Sequence, residues 1–329
     1  MSQINRIKEK AKADKKRVLL PEAEIDLRVI KAAVIMAEEN VAEPVLLGDK
    51  EKIRKLAAEE GVKIPDTIRI EPVSNKDAFL EKFEFFKKKL AHKNPTEEKL
   101  KAMSNDSLFT AGWMLEKGMG DAAVAGSVAS TSNVIISALR TVGVSEHSEL
   151  VSSTFLMELP DGRVFSYADC AVVPYPNSEQ LASIAIDTGK THRLLTGNEQ
   201  KIAFLSFSTR GSAKHERVDL VQNAVKIARD KKPNWIIDGD LQFDAAVVPD
   251  IAKRKAPDSQ LSGKANVFIF PNLDAGNIAY KITERLAGAV ATGPILQGLK
   301  KPYMDLSRGC SVDDIVNVAC VGSLLSSEF

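Results

Sequence analysis

Short aliphatic runs that stop at a turn residue and give way to helical spacing recur along this chain, and they leave few folds open. Val18 to Leu20 ends at Pro21 and Glu22, and Val29, Ala32, Ala33 and Met36 follow at helical spacing. Val45 to Leu47 ends at Gly48 in the same way, and further runs stand at 122–125, 202–207, 235–238 and 267–270. Strands alternating with helices predict an α/β chain with parallel sheet, in which ligands bind at the carboxyl ends of strands. One stretch breaks the alternation. Ser153 to Leu159 and Val164 to Ala168 flank a Pro160, Asp161, Gly162 turn and predict a β-hairpin. That change marks the entry to a second domain, so residues 1–150 plus 295–329 are expected to form a first α/β domain and 151–294 a second. A chain of 329 residues accommodates both. Phe79, Phe83 and Phe86, at helical spacing in a Lys- and Glu-rich stretch, read as a core stripe.

The 45 basic and 44 acidic residues nearly cancel, so no global field recruits nucleic acid or an anionic membrane. Any anionic ligand must be held by local geometry. No apolar run approaches the length of a bilayer span, and the basic stretch from Met1 to Lys16 lacks the apolar core of a secretory signal. Cys170, Cys310 and Cys320 form no CxxC pair, which argues against a disulfide framework and makes a cytoplasmic setting the expectation. His92, His147, His192 and His215 show no metal spacing. GxxxxGK[ST], GxGxxG and GxSxG are all missing, which weighs against P-loop ATP hydrolysis, a dinucleotide fold and a serine hydrolase.

The most informative segment is DLSRGCSVDD, Asp305 to Asp314. Ser307 offers a hydroxyl and Arg308 a permanent fork-shaped cation, a pairing suited to phosphate oxygens. Gly309 lets the backbone approach a ligand or take a positive φ. A helix then follows whose acidic first turn, with Asp313 and Asp314, suits the positive end of its dipole; such a helix start is itself an anion site. A second reading stands beside this one: Ser311 as an N-cap, the aspartates as surface carboxylates and Arg308 in a surface salt bridge. Three other loops have the same strand-to-helix form. GSVASTSN at 126–133 offers Ser127, Ser130 and Thr131 as donors, or as one N-cap and its solvated neighbours. FSTRGSA at 207–213 carries Arg210, and NLDAGNIAYK at 272–281 carries Gly276 and Asn277 ahead of a helix reaching Arg285.

With these loops in place the chain resembles the phosphate acetyltransferases, or phosphotransacetylases, over nearly its whole length. The segments that carry the resemblance are LPEAEIDLR at 20–28, ADCAV at 168–172, LSFSTRGSA at 205–213, DGDLQFDAA at 238–246, KAPDS at 255–259, ANVFIFPNLDAGNIAYKI at 265–282, GPILQGL at 293–299 and DLSRGC at 305–310. The resemblance implies two α/β domains of the isocitrate/isopropylmalate dehydrogenase-like kind with a central cleft, and a homodimer. It also implies the reaction of acetyl-CoA with phosphate to give acetyl phosphate and CoA, with CoA a substrate and neither metal nor covalent enzyme intermediate required. Asp314 then falls on the base that deprotonates the CoA thiol, Ser307 and Arg308 on groups that hold phosphate and stabilise the transition state, and Arg285 on a substrate-binding arginine. Two positions depart from the family pattern. Ile136 stands where an arginine for CoA is usual, with Arg140 one helical turn on, and the cations ahead of Asn94 are Lys87, Lys88, Lys89 and Lys93. Two alternatives stay open: transfer of a longer acyl group such as propionyl or butyryl, or a non-catalytic homologue that binds ligands.

Overall fold

The computed structural model describes residues 1–73 and 75–328; Ser74 and Phe329, both inside the expected first domain, lie outside the described residues. The chain divides into two compact units, one of Ile4–Val144 with Leu299–Phe329 and one of Met1–Gln3 with Ser145–Gly298. The expected boundaries at 150 and 295 thus stand a few residues from the observed crossings. The first three residues fall in the other unit from the one expected. Gln3 explains why: its N–H donates to Glu158 Oε2 (2.9 Å) and its Nε2 to Leu195 O (2.8 Å).

In chain order the first unit contains α1 (Gln3–Ala13), β1 (Arg17–Leu20), α2 (Leu27–Glu38), β2 (Glu43–Leu47), α3 (Lys50–Glu59), β3 (Arg69–Glu71), α4 (Lys76–Lys89), α5 (Glu97–Ser104), α6 (Ser107–Glu116), β4 (Ala122–Ala125) and α7 (Thr131–Thr141). The second unit follows with β5 (Ser152–Glu158), β6 (Val164–Ala168), α8 (Ser178–Thr196), β7 (Lys201–Leu205), α9 (Glu216–Lys231), β8 (Ile236–Leu241), α10 (Phe243–Val247), α11 (Pro249–Lys255), β9 (Val267–Ile269), α12 (Leu273–Ala287) and β10 (Val290–Gln297). The chain then returns to the first unit with β11 (Tyr303–Asp305) and α13 (Val312–Leu325).

The first unit's sheet has the order β11-β4-β1-β2-β3, and every pairing is parallel. The runs Val18 to Leu20 in β1 and Ala122 to Ala125 in β4 are buried throughout, as short apolar runs require when helices cover both faces. Asp305 pairs with Ala125 in register, so the loops that begin at Gly126 and Leu306 leave neighbouring strand ends side by side. Gly126 is needed at that crowded edge. Its φ is +104°, and a Cβ there would meet Leu306 N at 2.7 Å and run into the Asp305 carboxylate. On α13, Ile315, Val316, Val318 and Ala319 are buried, which anchors the helix start beneath the loop.

The second unit's sheet runs β10-β5-β6-β9-β7-β8. The expected hairpin is present as antiparallel β5 and β6, and β9, β7 and β8 continue in parallel. Three strands were not anticipated. β3 and β11 have only three residues each, and β10 contains Gly293 and Pro294 at the irregularity between Thr292 and Ile295. The aromatic stripe on α4 also needs correction, because Phe86 is fully buried while Phe79 and Phe83 are half-buried. Lys82 shares that interior, donating to Val73 O and to Thr110 Oγ1 (2.9 Å), and burial pushes its pKa down to about 8.

Candidate active site

Three strand-end loops of the first unit meet through two side chains that the sequence reading left without a role. Glu22, just past β1, is buried, and its carboxylate fills the amide nest of the loop after β4. Oε2 accepts from the N–H groups of Gly126 and Ser127, both at 2.8 Å, and from Ser127 Oγ at 3.0 Å. Oε1 accepts from Val128 N at 3.1 Å and Ala129 N at 2.7 Å. The nest binds an anion, and the anion is the chain's own.

This corrects the expectation for Ser127, whose buried hydroxyl is committed to Glu22. Ser130 is the N-cap of α7 and accepts from Asn133 N (3.3 Å), as its capping alternative foresaw. Thr131 Oγ1 donates to Asp305 Oδ2 (2.7 Å). Asp305 itself is buried, its Oδ1 has no hydrogen-bond partner among the described residues, and burial pushes its pKa up to about 6. Thr131 therefore couples the two loops rather than standing free.

The loop after β11 is different. Cys310 N donates to Ser307 O (2.9 Å) to close a turn, and Gly309 N donates to Ser307 Oγ (3.3 Å). Ser307 and Arg308 are exposed, and Arg308 has no ion pair among the described residues, which removes the surface salt bridge proposed for it. Gly309 does not take a positive φ, and a Cβ on it would meet nothing nearer than Ser307 Oγ at 3.9 Å. Ser311 and Asp314 form a reciprocal capping box: Asp314 N donates to Ser311 Oγ (3.1 Å), while Ser311 N (2.8 Å) and Oγ (2.9 Å) donate to Asp314 Oδ2. The N-cap reading of Ser311 and the placement of Asp314 in the first turn hold together. Both bonds to Asp314 fall on one oxygen of an exposed carboxylate.

Arg28 ties the arrangement. Its Nη1 donates to Arg308 O (3.0 Å) and Cys310 O (2.8 Å), and its Nη2 to Ser127 O and Asp26 Oδ2, both at 2.8 Å. Burial opposes the ionised form of Asp26, but hydrogen bonds, chiefly from Arg28, together with the charge of Arg28 outweigh it and hold the carboxyl below its ordinary range. The signal for Glu22 and Arg28 was already in the sequence: within LPEAEIDLR, charged residues crowd the turn after an apolar strand and the start of the next helix. Cys310 is buried, which pushes its thiol pKa up.

The remaining cations are dispersed. Arg140 is half-buried near the end of α7, without an ion pair among the described residues, and Ile136 one turn earlier is exposed. Lys87 pairs with Glu84 (3.9 Å) and Lys89 with Glu116 (3.3 Å), while Lys88 and Lys93 have no such pair among the described residues.

In the second unit, too, most strand-end loops are satisfied internally. Arg210 Nη2 and Arg229 Nη2 each donate to the buried Asp238 at 2.7 Å, and Gly211 N donates to Asp240 (3.3 Å). In ADCAV, Asp169 accepts from the N–H groups of Ala171 (2.8 Å), Val172 (3.1 Å) and Val173 (3.0 Å), and from the Ser153 hydroxyl. Asn277 spends an amide proton on Cys170 O (3.0 Å), and Arg285 is exposed near the end of α12, with Glu284 at 3.7 Å. The two lie about 12 Å apart along the helix at the usual rise, so the helix does not bring them together. Among the described residues there is no cluster of His, Cys, Asp and Glu able to hold a metal ion and no helix long and apolar enough to cross a membrane.

The chain is 44% identical to a phosphate acetyltransferase from Acetivibrio thermocellus over 98% of its own length and 97% of the relative's. A phosphotransacetylase structure from Streptococcus pyogenes superposes with a TM-score of 0.94 at 36% identity, covering 99% of this chain and 98% of that one. A 4-hydroxythreonine-4-phosphate dehydrogenase from Burkholderia phymatum shares the fold alone, with a TM-score of 0.55 at 11% identity over 94% and 98% of the two chains. Residues 2–322 match the model of the phosphate acetyl/butaryl transferases, and the chain belongs to that family.

Proposed function

We propose that this chain is a phosphate acetyltransferase, interconverting acetyl-CoA plus phosphate with acetyl phosphate plus CoA at the loop after β11 and the first turn of α13. One observation carries the reading. In the loops after β4, β6 and β7 the chain's own carboxylates occupy amides or an arginine, whereas Ser307 and Arg308 are exposed without an acidic partner among the described residues, in the same segment as the exposed Asp314. Family membership and the name of the Acetivibrio relative support the same activity.

In the direction of acetyl-CoA formation, Asp314 takes the proton of the CoA thiol, whose ordinary pKa of about 8.5 leaves little thiolate at neutral pH. The sulfur attacks the carbonyl carbon of acetyl phosphate and forms a C–S bond. The carbonyl C–O bond to the phosphate then breaks, and phosphate leaves with the electron pair. Arg308, the Ser307 hydroxyl and the amides at the start of α13 stabilise the oxyanion and the departing phosphate. In reverse, a phosphate oxygen attacks the thioester, the C–S bond breaks, and the thiolate recovers its proton from Asp314. CoA brings the nucleophile, so Cys310 stays outside the chemistry.

For CoA itself the reading assigns Arg140, with Lys88 and Lys93 as point charges for its phosphates, and Arg285 as a substrate-binding arginine; their lack of ion pairs or their exposure supports this. Ser130 and Thr131 contribute through the start of α7. The finer description of the fold as isocitrate/isopropylmalate dehydrogenase-like is supported by the likeness to a dehydrogenase. A homodimer is supported by α12, where Ile278, Ile282 and Leu286 are 57%, 52% and 84% exposed. A cytoplasmic setting is supported by three free cysteines.

A panel of acyl-CoAs assayed with phosphate tests the reading. Acetyl-CoA is expected to give the highest kcat/KM for phosphate-dependent CoA release. A higher value for propionyl- or butyryl-CoA would move the assignment to the longer acyl group. No release from any of them, with acetyl phosphate still bound, would establish the non-catalytic alternative.

A further inference from the structure

Arg28 takes no part in the chemistry just described, yet its guanidinium touches the active loop at two points. Nη1 donates to both Arg308 O and Cys310 O, and Asp26 and Ser127 O hold the rest of the group. The cis peptide bonds among the described residues lie at 168–169, 239–240 and 293–294, so the loop's peptide groups are trans. A trans peptide is planar and points its N–H away from its C=O. The group whose carbonyl is Arg308 O therefore turns the N–H of Gly309 away from Arg28, and that N–H donates to Ser307 Oγ (3.3 Å). The group whose carbonyl is Cys310 O turns the N–H of Ser311 away, and that N–H donates to Asp314 Oδ2 (2.8 Å). One guanidinium nitrogen is thus linked, through two peptide groups, to the hydroxyl and the carboxylate that do the chemistry.

We infer that Arg28 is a positioning residue that orients Ser307 and Asp314 through the peptide groups 308–309 and 310–311. With Gly309 N–H already on Oγ, Ser307 keeps its own proton to donate to substrate oxygen. Chained hydrogen bonds also polarise one another, so a cation at the far carbonyl strengthens the N–H bonds to both side chains. Asp26 fixes the fork from behind, with Arg28 Nε at 3.1 Å from its Oδ1. A lysine cannot span two carbonyls, Ser127 O and Asp26 at once, because it offers a single ammonium in place of a planar fork.

The inference rests on the proposed function, and a double-mutant cycle separates the two. kcat and KM for phosphate and acetyl-CoA are measured for the wild type, Arg28→Ala, Asp314→Asn and the double variant, with and without low-millimolar guanidinium. Arg28→Ala is expected to lower kcat on the order of 10²-fold, as small misplacements of reacting groups do, with KM little changed and part of the loss restored by guanidinium. In the Asp314→Asn background the same substitution costs much less, because the base that Arg28 positions is already removed. Equal losses in both backgrounds, or an Arg28→Ala kcat equal to wild type, would overturn the positioning role. If Arg28→Ala does not fold, Arg28→Lys keeps the charge and serves in the same cycle. A wild type without phosphate-dependent CoA release refutes the proposed function itself, before any variant is compared.

Discussion

Asp305 and Asp314 belong to the same short segment and meet opposite surroundings. Asp305 is buried at the end of β11, with one oxygen on Thr131 and a pKa pushed up to about 6, while Asp314 is exposed on the first turn of α13. The residue type and spacing marked both as acidic; only burial separates a structural carboxylate from a candidate base. Asp187, on α8, shows the cost of such burial more simply. Its Oδ2 has no partner among the described residues, and desolvation pushes its pKa up to about 6 from 3.8. Between about pH 4 and 6 the folded chain keeps this proton after the unfolded chain has released it, so stability falls as pH rises through that window. Asp187→Asn is therefore expected to raise the unfolding free energy at pH 7.5 by about 1–3 kcal/mol, the gain shrinking towards pH 4. Urea titrations at the two pH values check this, and an equal gain at both would show that the carboxyl's charge is not the cause. His192, on the same helix, works in the other direction: burial lowers its pKa to about 4, and its stabilising share is lost as pH falls towards that value.

At the scale of elements, helix starts were legible and loop occupancy was not. Ser311 and Ser130 cap α13 and α7 as residue type suggests, because a side-chain oxygen before an apolar periodic run has an amide to satisfy. The loop after β4 also reads correctly as an anion-binding nest. Which anion fills it depends on Glu22, brought there from another strand by the parallel order of β1 and β4. Sequence pattern carries no information about that long-range match. Glu22→Ala would leave four loop amides and the Ser127 hydroxyl without their acceptor, at about 1–3 kcal/mol for each one that stays buried. The expected outcome is a loss of at least about 3 kcal/mol in urea unfolding, with Glu22→Gln intermediate because it keeps one acceptor oxygen. Wild-type stability for Glu22→Ala would mean that water or substrate satisfies the nest instead.

Across the whole molecule, the alternation of strand and helix was enough to read two α/β units, and the hairpin at 152–168 marked the change of sheet character. The three strands that escaped notice are short or broken by Gly293 and Pro294, where local pattern is weakest. The site followed a similar division. The residues proposed for the chemistry, Ser307, Arg308 and Asp314, were visible because they stand together in one segment. Glu22, Arg28 and Asp305 act through contacts between strand ends, and Ser127 was misread because those contacts use its hydroxyl. The most direct test of the whole account is phosphate-dependent release of CoA from acetyl-CoA by the full chain and by its Asp314→Asn variant. Wild type should form acetyl phosphate and CoA in equal amounts, and the variant should lose on the order of 10²–10⁴-fold in kcat with KM for phosphate little changed. A variant that turns over as fast as wild type would contradict it.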